Sequence, residues 1–103
     1  MSKRQFIVED GCLKAKGKEI LDYCDKKPIA EKKMILEYFS GIEPDAFGSV
    51  FYDPVTAEKA GDTEKMYQDG GFVWYESIVY NFRVHNLHLK DDFIAFVGQK
   101  EGK

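Results

Sequence analysis

The chain is poor in the residues that mark specialised chemistry: of 103 residues, two are Cys, two His, three Pro and one Trp. Cys12 and Cys24 have neither C-x-x-C spacing nor a histidine close behind, which removes the zinc-finger and thioredoxin-type patterns. Buried, inert thiols are the expectation, ahead of a disulfide or a nucleophile. No window approaches the 18 or more apolar residues of a membrane span, and "MSKRQFIVEDG" lacks the apolar stretch of a secretory signal, so a cytoplasmic protein without membrane contact is expected. An excess of positive charge is missing too. With a net charge of −3, nothing attracts phosphate backbones, and nucleic acid is disfavoured as a partner. Phosphate-cradling loops are absent: "DGG" and "KAGD" fit neither G-x-G-x-x-G nor G-K-[ST]. There is no G-x-S-x-G elbow around Ser40, Ser49 or Ser77. No catalytic residue, cofactor or metal is assigned, and an enzyme is the less favoured reading.

What is present is the composition of a folded protein. The hydrophobic share of 44% and charged share of 32% lie far from the disordered corner, and the length suits one domain over 1–103. Charge is unevenly divided. Residues 1–40 carry nine Lys/Arg and seven Asp/Glu, whereas residues 41–103 carry six and eleven, a balance of −5 that predicts an acidic face.

"GKEILDYCDKKPIAEKKMILEYFSG" reads as two helices. Ile20, Leu21, Tyr23 and Cys24 cluster at helical spacing before Lys26 and Lys27, and Pro28 suits the first turn of the next helix. Ile29, Met34, Ile35, Tyr38 and Phe39 give that second helix an apolar face, ended by Gly41 as a C′ glycine. Beyond residue 42 β-branched and aromatic residues replace the helix formers. "GSVFYDP" reads as a short strand and "VTAEKAGDTE" as a polar loop. "KMYQDGGFVWY" predicts a hairpin with Asp69–Gly70 at its turn, Lys65 to Gln68 pairing Gly71 to Tyr75. By the period of two, Tyr67, Val73 and Tyr75 fall on one face and Phe72 and Trp74 on the other.

Residues 77–85 alternate like a strand, but a strand running on from Phe72 would be more than twice the usual length of about 5–6 residues. Length therefore predicts a helix over 77–85, closed by Asn86 in the left-handed conformation. Asp91 then caps a final short helix packed down by Phe93, Ile94 and Val97. The fold class expected is α+β: two N-terminal helices, a small antiparallel sheet of about three strands, and short C-terminal helices.

The tail, D-G-x-aromatic-x-W, then I-x-Y, then L-x-L-x-x-x-F-I-x-x-V, resembles a pattern found in small uncharacterised bacterial proteins of mobile gene cassettes and accessory loci. The resemblance covers about 30 residues and implies a helix after the Trp-bearing strand; no catalytic residue comes with it.

Three functional readings follow. Fifteen aromatics exceed what so small a core encloses, so an aromatic sheet face around Tyr67, Trp74, Tyr75 and Glu76 is expected to bind a protein partner or a second copy of the chain. An immunity or antitoxin type fits, with Asp62, Glu64 and Asp69 as an acidic rim for a basic target. The alternative is a small-molecule pocket with aromatic walls and Glu76 or Asp53 as polar anchor. The third is a metal-dependent enzyme through His85, His88, Asp91 and Asp92, which requires those four to converge.

Overall fold

The computed structural model describes residues 4–101. The fold is mixed α and β, with two small sheets in place of the single three-stranded sheet expected. Strands β1 (Gln5–Phe6), β2 (Ala46–Phe47), β5 (Lys65–Asp69) and β6 (Phe72–Tyr75) form a four-stranded sheet in the order β1-β6-β5-β2, while β3 (Phe51–Tyr52) and β4 (Lys59–Gly61) make a separate hairpin. The helices are α1 (Asp10–Lys14), α2 (Lys32–Ser40), α3 (Glu76–His85) and α4 (Asp91–Glu101), with a 3-10 helix over Gly17–Tyr23. No helix among the described residues is long and apolar enough to cross a membrane.

The first of the two expected N-terminal helices is therefore a correction. Gly17 starts it at φ +55, Leu21 is exposed, and no side chain within Gly17–Tyr23 is fully buried. Without a wide apolar stripe to bury, the segment tightens into 3-10 geometry. The second helix stands, because Ile35, Tyr38 and Phe39 at spacings of three and four bury one face. Its start differs: Pro28 precedes it by a turn, and Gly41 ends it in the right-handed region at φ −92. Strand β1 carries no signal of its own. It has two residues and pairs parallel with β6, more than sixty positions away.

The hairpin forms with its turn one residue later than expected. Asp69 pairs with Phe72, which leaves Gly70 and Gly71 at the turn centre with φ of +56 and +86. A two-residue turn of this hand needs positive φ twice, and two glycines meet that need without placing a Cβ there. The shift also frees Asp69, whose carboxylate accepts hydrogen bonds from the Tyr38 hydroxyl at 2.6 Å and the Lys100 ammonium at 2.8 Å. The face grouping is a separate correction, since the earlier turn would also put Tyr67 on the Phe72 and Trp74 face. Tyr67 stands opposite Trp74 with rings stacked at 6.0 Å, so these two share a face, contrary to the grouping of Tyr67 with Val73 and Tyr75.

That shared face is covered by the helices. Trp74 is fully buried against Phe39 of α2 and Phe93 of α4, and Phe39 also meets Phe82 of α3. Most of the aromatics thus turn inward and build the core, while Phe47 and Tyr52 stay exposed. Helix α3 begins where β6 ends, its Ser77 N–H capped from outside by the Glu64 carboxylate at 2.7 Å. It ends at Asn86 in the left-handed conformation, φ 59 and ψ 43, and the Lys32 ammonium of α2 closes this terminus on the Arg83 carbonyl at 2.9 Å and Asn86 Oδ1 at 2.7 Å. α4 starts at Asp91 as expected and runs longer, to Glu101.

Candidate functional site

Of the four residues expected to form a binding surface, the structure brings two into the core. Trp74 is wholly buried and Tyr67 is 8% exposed. The Trp74 indole N–H and Asn81 Oδ1 are buried without a hydrogen-bond partner, and neither lines the recesses described below. Tyr75 is half-buried on the opposite sheet face, its ring 5.5 Å from that of Phe6. Glu76 is the exception. As the first residue of α3 it sits where strand becomes helix, and the Tyr67 hydroxyl donates to its Oε1 at 2.5 Å. Burial, then this hydrogen bond to a carboxylate, pushes the Tyr67 hydroxyl well above the ordinary tyrosine range, so it stays a donor.

Two recesses meet at Glu76. One, of about 440 Å³, lies between α3 and the β3–β4 hairpin and is lined by Phe51, Gly61, Lys65 and Tyr80. The other, of about 290 Å³, lies between α3 and α2 and is lined by Leu36, Phe39, Tyr67 and Val79. Both also include Arg83. Seven residues separate Glu76 from Arg83, two helical turns or about 10 Å along the axis, which puts both on one face of α3. The Arg83 guanidinium rests 5.7 Å over the Tyr80 ring. Neither Arg83 nor Lys65 makes an ion pair among the described residues. A cleft with mixed walls, apolar at Phe51, Leu36 and Val79 and polar at Asp62 and Thr63, with one carboxylate already oriented and two cations without an ion pair among the described residues, is therefore available to a ligand. A larger depression of about 590 Å³ over α2, between Ile29 and Ser40, is a shallow apolar trough.

The hairpin wall of this cleft is held by Asp53, 4% exposed. Its Oδ1 accepts the Val55 and Thr56 N–H groups at 2.7 and 3.1 Å, and its Oδ2 meets the Tyr80 hydroxyl at 2.5 Å and His85 Nε2 at 2.8 Å. Burial alone would raise this carboxyl's pKa. The Tyr80 and His85 hydrogen bonds and the two backbone donors outweigh it and hold Asp53 far below the ordinary carboxylate range. Asp53 therefore serves the wall as a fixed anion, and does not reach into the cleft as the anchor expected of it.

The proposed metal set does not converge. His85 is committed to Asp53, while His88 Nδ1 faces the Asp25 carboxylate at 3.2 Å. Asp91 and Asp92 are exposed in the first turn of α4. Among the described residues no group of three or more potential ligands is placed to hold an ion. Nor do the acidic residues expected to form a rim stand free: Asp62 pairs with Lys59, Glu64 caps α3, and Asp69 holds Tyr38 and Lys100.

Sequence reasoning named Glu76 from its apolar neighbours and Asp53 as an alternative anchor, but not Arg83 or the hydrogen bonds that gather on Asp53. Both had a signal. Arg83 lies at i+7 from Glu76 once 77–85 is taken as helix, and Asp53-Pro54-Val55-Thr56 is the local pattern of an aspartate that accepts from the two N–H groups after a proline. Compared with family models, curated proteins and solved structures, the chain matches none.

Proposed function

We propose that this chain is a non-enzymatic binding domain that takes a small ligand in the cleft around Glu76 and Arg83. The observation that carries this reading is the meeting of two recesses at opposite charges on one face of α3, backed by the apolar side chains of Phe51, Leu36 and Val79. A ligand suited to it has an anionic group for Arg83 and Lys65 and a hydrogen-bond donor for Glu76, with an apolar body between. The reading predicts stabilisation by the ligand, worth about 2.7 kcal/mol at a hundredfold excess over Kd. Thermal melts against a panel of small zwitterions, carboxylates and amines are expected to show a concentration-dependent rise for some members, lost in Glu76→Gln and in Arg83→Leu. A flat response across the panel, or a rise that both variants keep, would count against the cleft.

A protein-interaction role is the second reading. Register puts Phe6 beside Val73 on the sheet face turned away from the helices, and Tyr75 lies on that same face. This reading uses the half-buried Phe6–Tyr75 pair on that face as the contact for a partner or a second copy. Phe6→Ser with Tyr75→Ser would abolish an association carried by this face and leave ligand stabilisation through Glu76 intact.

A further inference from the structure

A separate cavity of about 160 Å³ lies at the far end of the molecule from the hairpin turn, between α1, the 3-10 helix and the chain after α3, and is lined by both cysteines. Cys12 is buried in α1; Cys24 follows the 3-10 helix and bridges Leu87. The two segments are in contact, since a Cβ added at Gly11 would collide with the Tyr23 ring. Sequence spacing had pointed to inert thiols, and it did not show that a fold would seat both on one small cavity.

We infer that Cys12 and Cys24 are a redox modification site, closing to an intramolecular disulfide when a low-molecular-weight disulfide reaches the partly exposed Cys24 at the mouth of this cavity. The attacking thiol is Cys24, the less buried of the two. Its thiolate attacks one sulfur of the oxidant RS–SR, forming the mixed disulfide Cys24–S–SR and releasing RS⁻, which takes up a proton. The Cys12 thiolate then attacks the Cys24 sulfur and a second RS⁻ leaves. Two protein thiols are oxidised and one RS–SR is reduced to two RSH.

The surroundings keep the pair dormant at rest. Glu9, Asp22, Tyr23, Asp25 and His88 also line the cavity, and the Cys24 thiol donates to the Ile20 carbonyl at 3.3 Å. Burial, then the charge of Cys24 and that of Glu9, pushes the Cys12 thiol up to about 11; burial, then Asp25, raises Cys24. At neutral pH both remain protonated and exchange is slow.

The test uses the full reduced chain, exposed to oxidised glutathione at mildly alkaline pH, quenched with a maleimide and weighed intact. The expected product is a monomer about 2 Da lighter carrying no maleimide, with the Cys12 and Cys24 peptides joined. Cys12→Ser is expected to stop at the glutathione adduct on Cys24. Because buried Cys12 variants risk misfolding, a second measurement runs the wild type folded and in concentrated urea, and the bridge should form faster in the folded chain. Glutathione adducts alone, a disulfide-linked dimer alone, or faster closure in urea would each overturn the inference.

Discussion

Asp53 shows how one side chain joins two parts of the molecule. Four donors converge on a carboxylate that is almost wholly buried, and two of them, Tyr80 and His85, belong to α3 while the others belong to the turn after β3. Substituting Asn keeps the shape but removes the charge, and its N–H₂ forces the Tyr80 hydroxyl and His85 to turn from donating to accepting. Asp53→Asn is expected to cost about 2–3 kcal/mol, the scale for losing buried hydrogen bonds to a charged group, read as a lowered urea midpoint at neutral pH. A pH dependence follows. A carboxyl whose folded pKa lies below its unfolded value of about 3.9 stabilises the fold at every pH above that value, and the contribution drains away as the pH falls toward the folded pKa. Urea midpoints measured between pH 5 and pH 2 should therefore drop more steeply for the wild type than for Asp53→Asn. Parallel curves would show that Asp53 does not carry a depressed pKa.

Elements with a strong local pattern were legible, and those assembled by distant contacts were not. Helix α3 and its Asn86 cap followed from a length argument and one residue's tolerance of positive φ. The β5–β6 hairpin followed from the glycines, but the choice between Asp69–Gly70 and Gly70–Gly71 was settled elsewhere, by the Tyr38 and Lys100 partners waiting for Asp69. Both turns put Tyr67 on the face of Phe72 and Trp74, so the interior position of the expected Tyr67–Trp74 surface comes from the helices that cover that face, not from the turn. Strand β1, strand β2 and the Glu64 cap depend on pairings that no local window contains. The turn can be checked residue by residue. At Gly71 an added Cβ meets nothing within 4 Å, so Gly71→Ala should cost only the positive-φ penalty, about 1 kcal/mol. At Gly70 the same Cβ runs into the Phe96 ring, so Gly70→Ala should cost clearly more, about 2–3 kcal/mol. Equal losses in thermal unfolding would mean that Phe96 does not pack over the turn.

At the scale of the whole molecule, cohesion is uneven. The main cluster gathers Trp74, Phe93, Phe39, Tyr38, Phe82 and Leu89 from β6, the three larger helices and the segment before α4, and it holds the β5–β6 ladder at its centre. The β3–β4 hairpin stands outside it. Phe51 is buried but belongs to no part of that cluster, and the hairpin reaches α3 through the Phe51–Tyr80 ring contact at 6.1 Å and the Asp53 hydrogen bonds. With so little apolar area binding it, this hairpin should open locally before the rest unfolds. Native-state hydrogen exchange is expected to give the amides of Lys59–Gly61 a lower opening free energy than those of Phe72–Tyr75, which should reach the global value reported by Trp74 fluorescence. In Asp53→Asn both opening free energies should fall by about the same amount, because the latch is broken in the local and in the global opening alike. With the hairpin the first to open, one wall of the cleft would be the mobile one, admitting a ligand that the Glu76–Arg83 face holds in place. Equal protection in both segments would instead make the hairpin part of one cooperative unit and the cleft rigid.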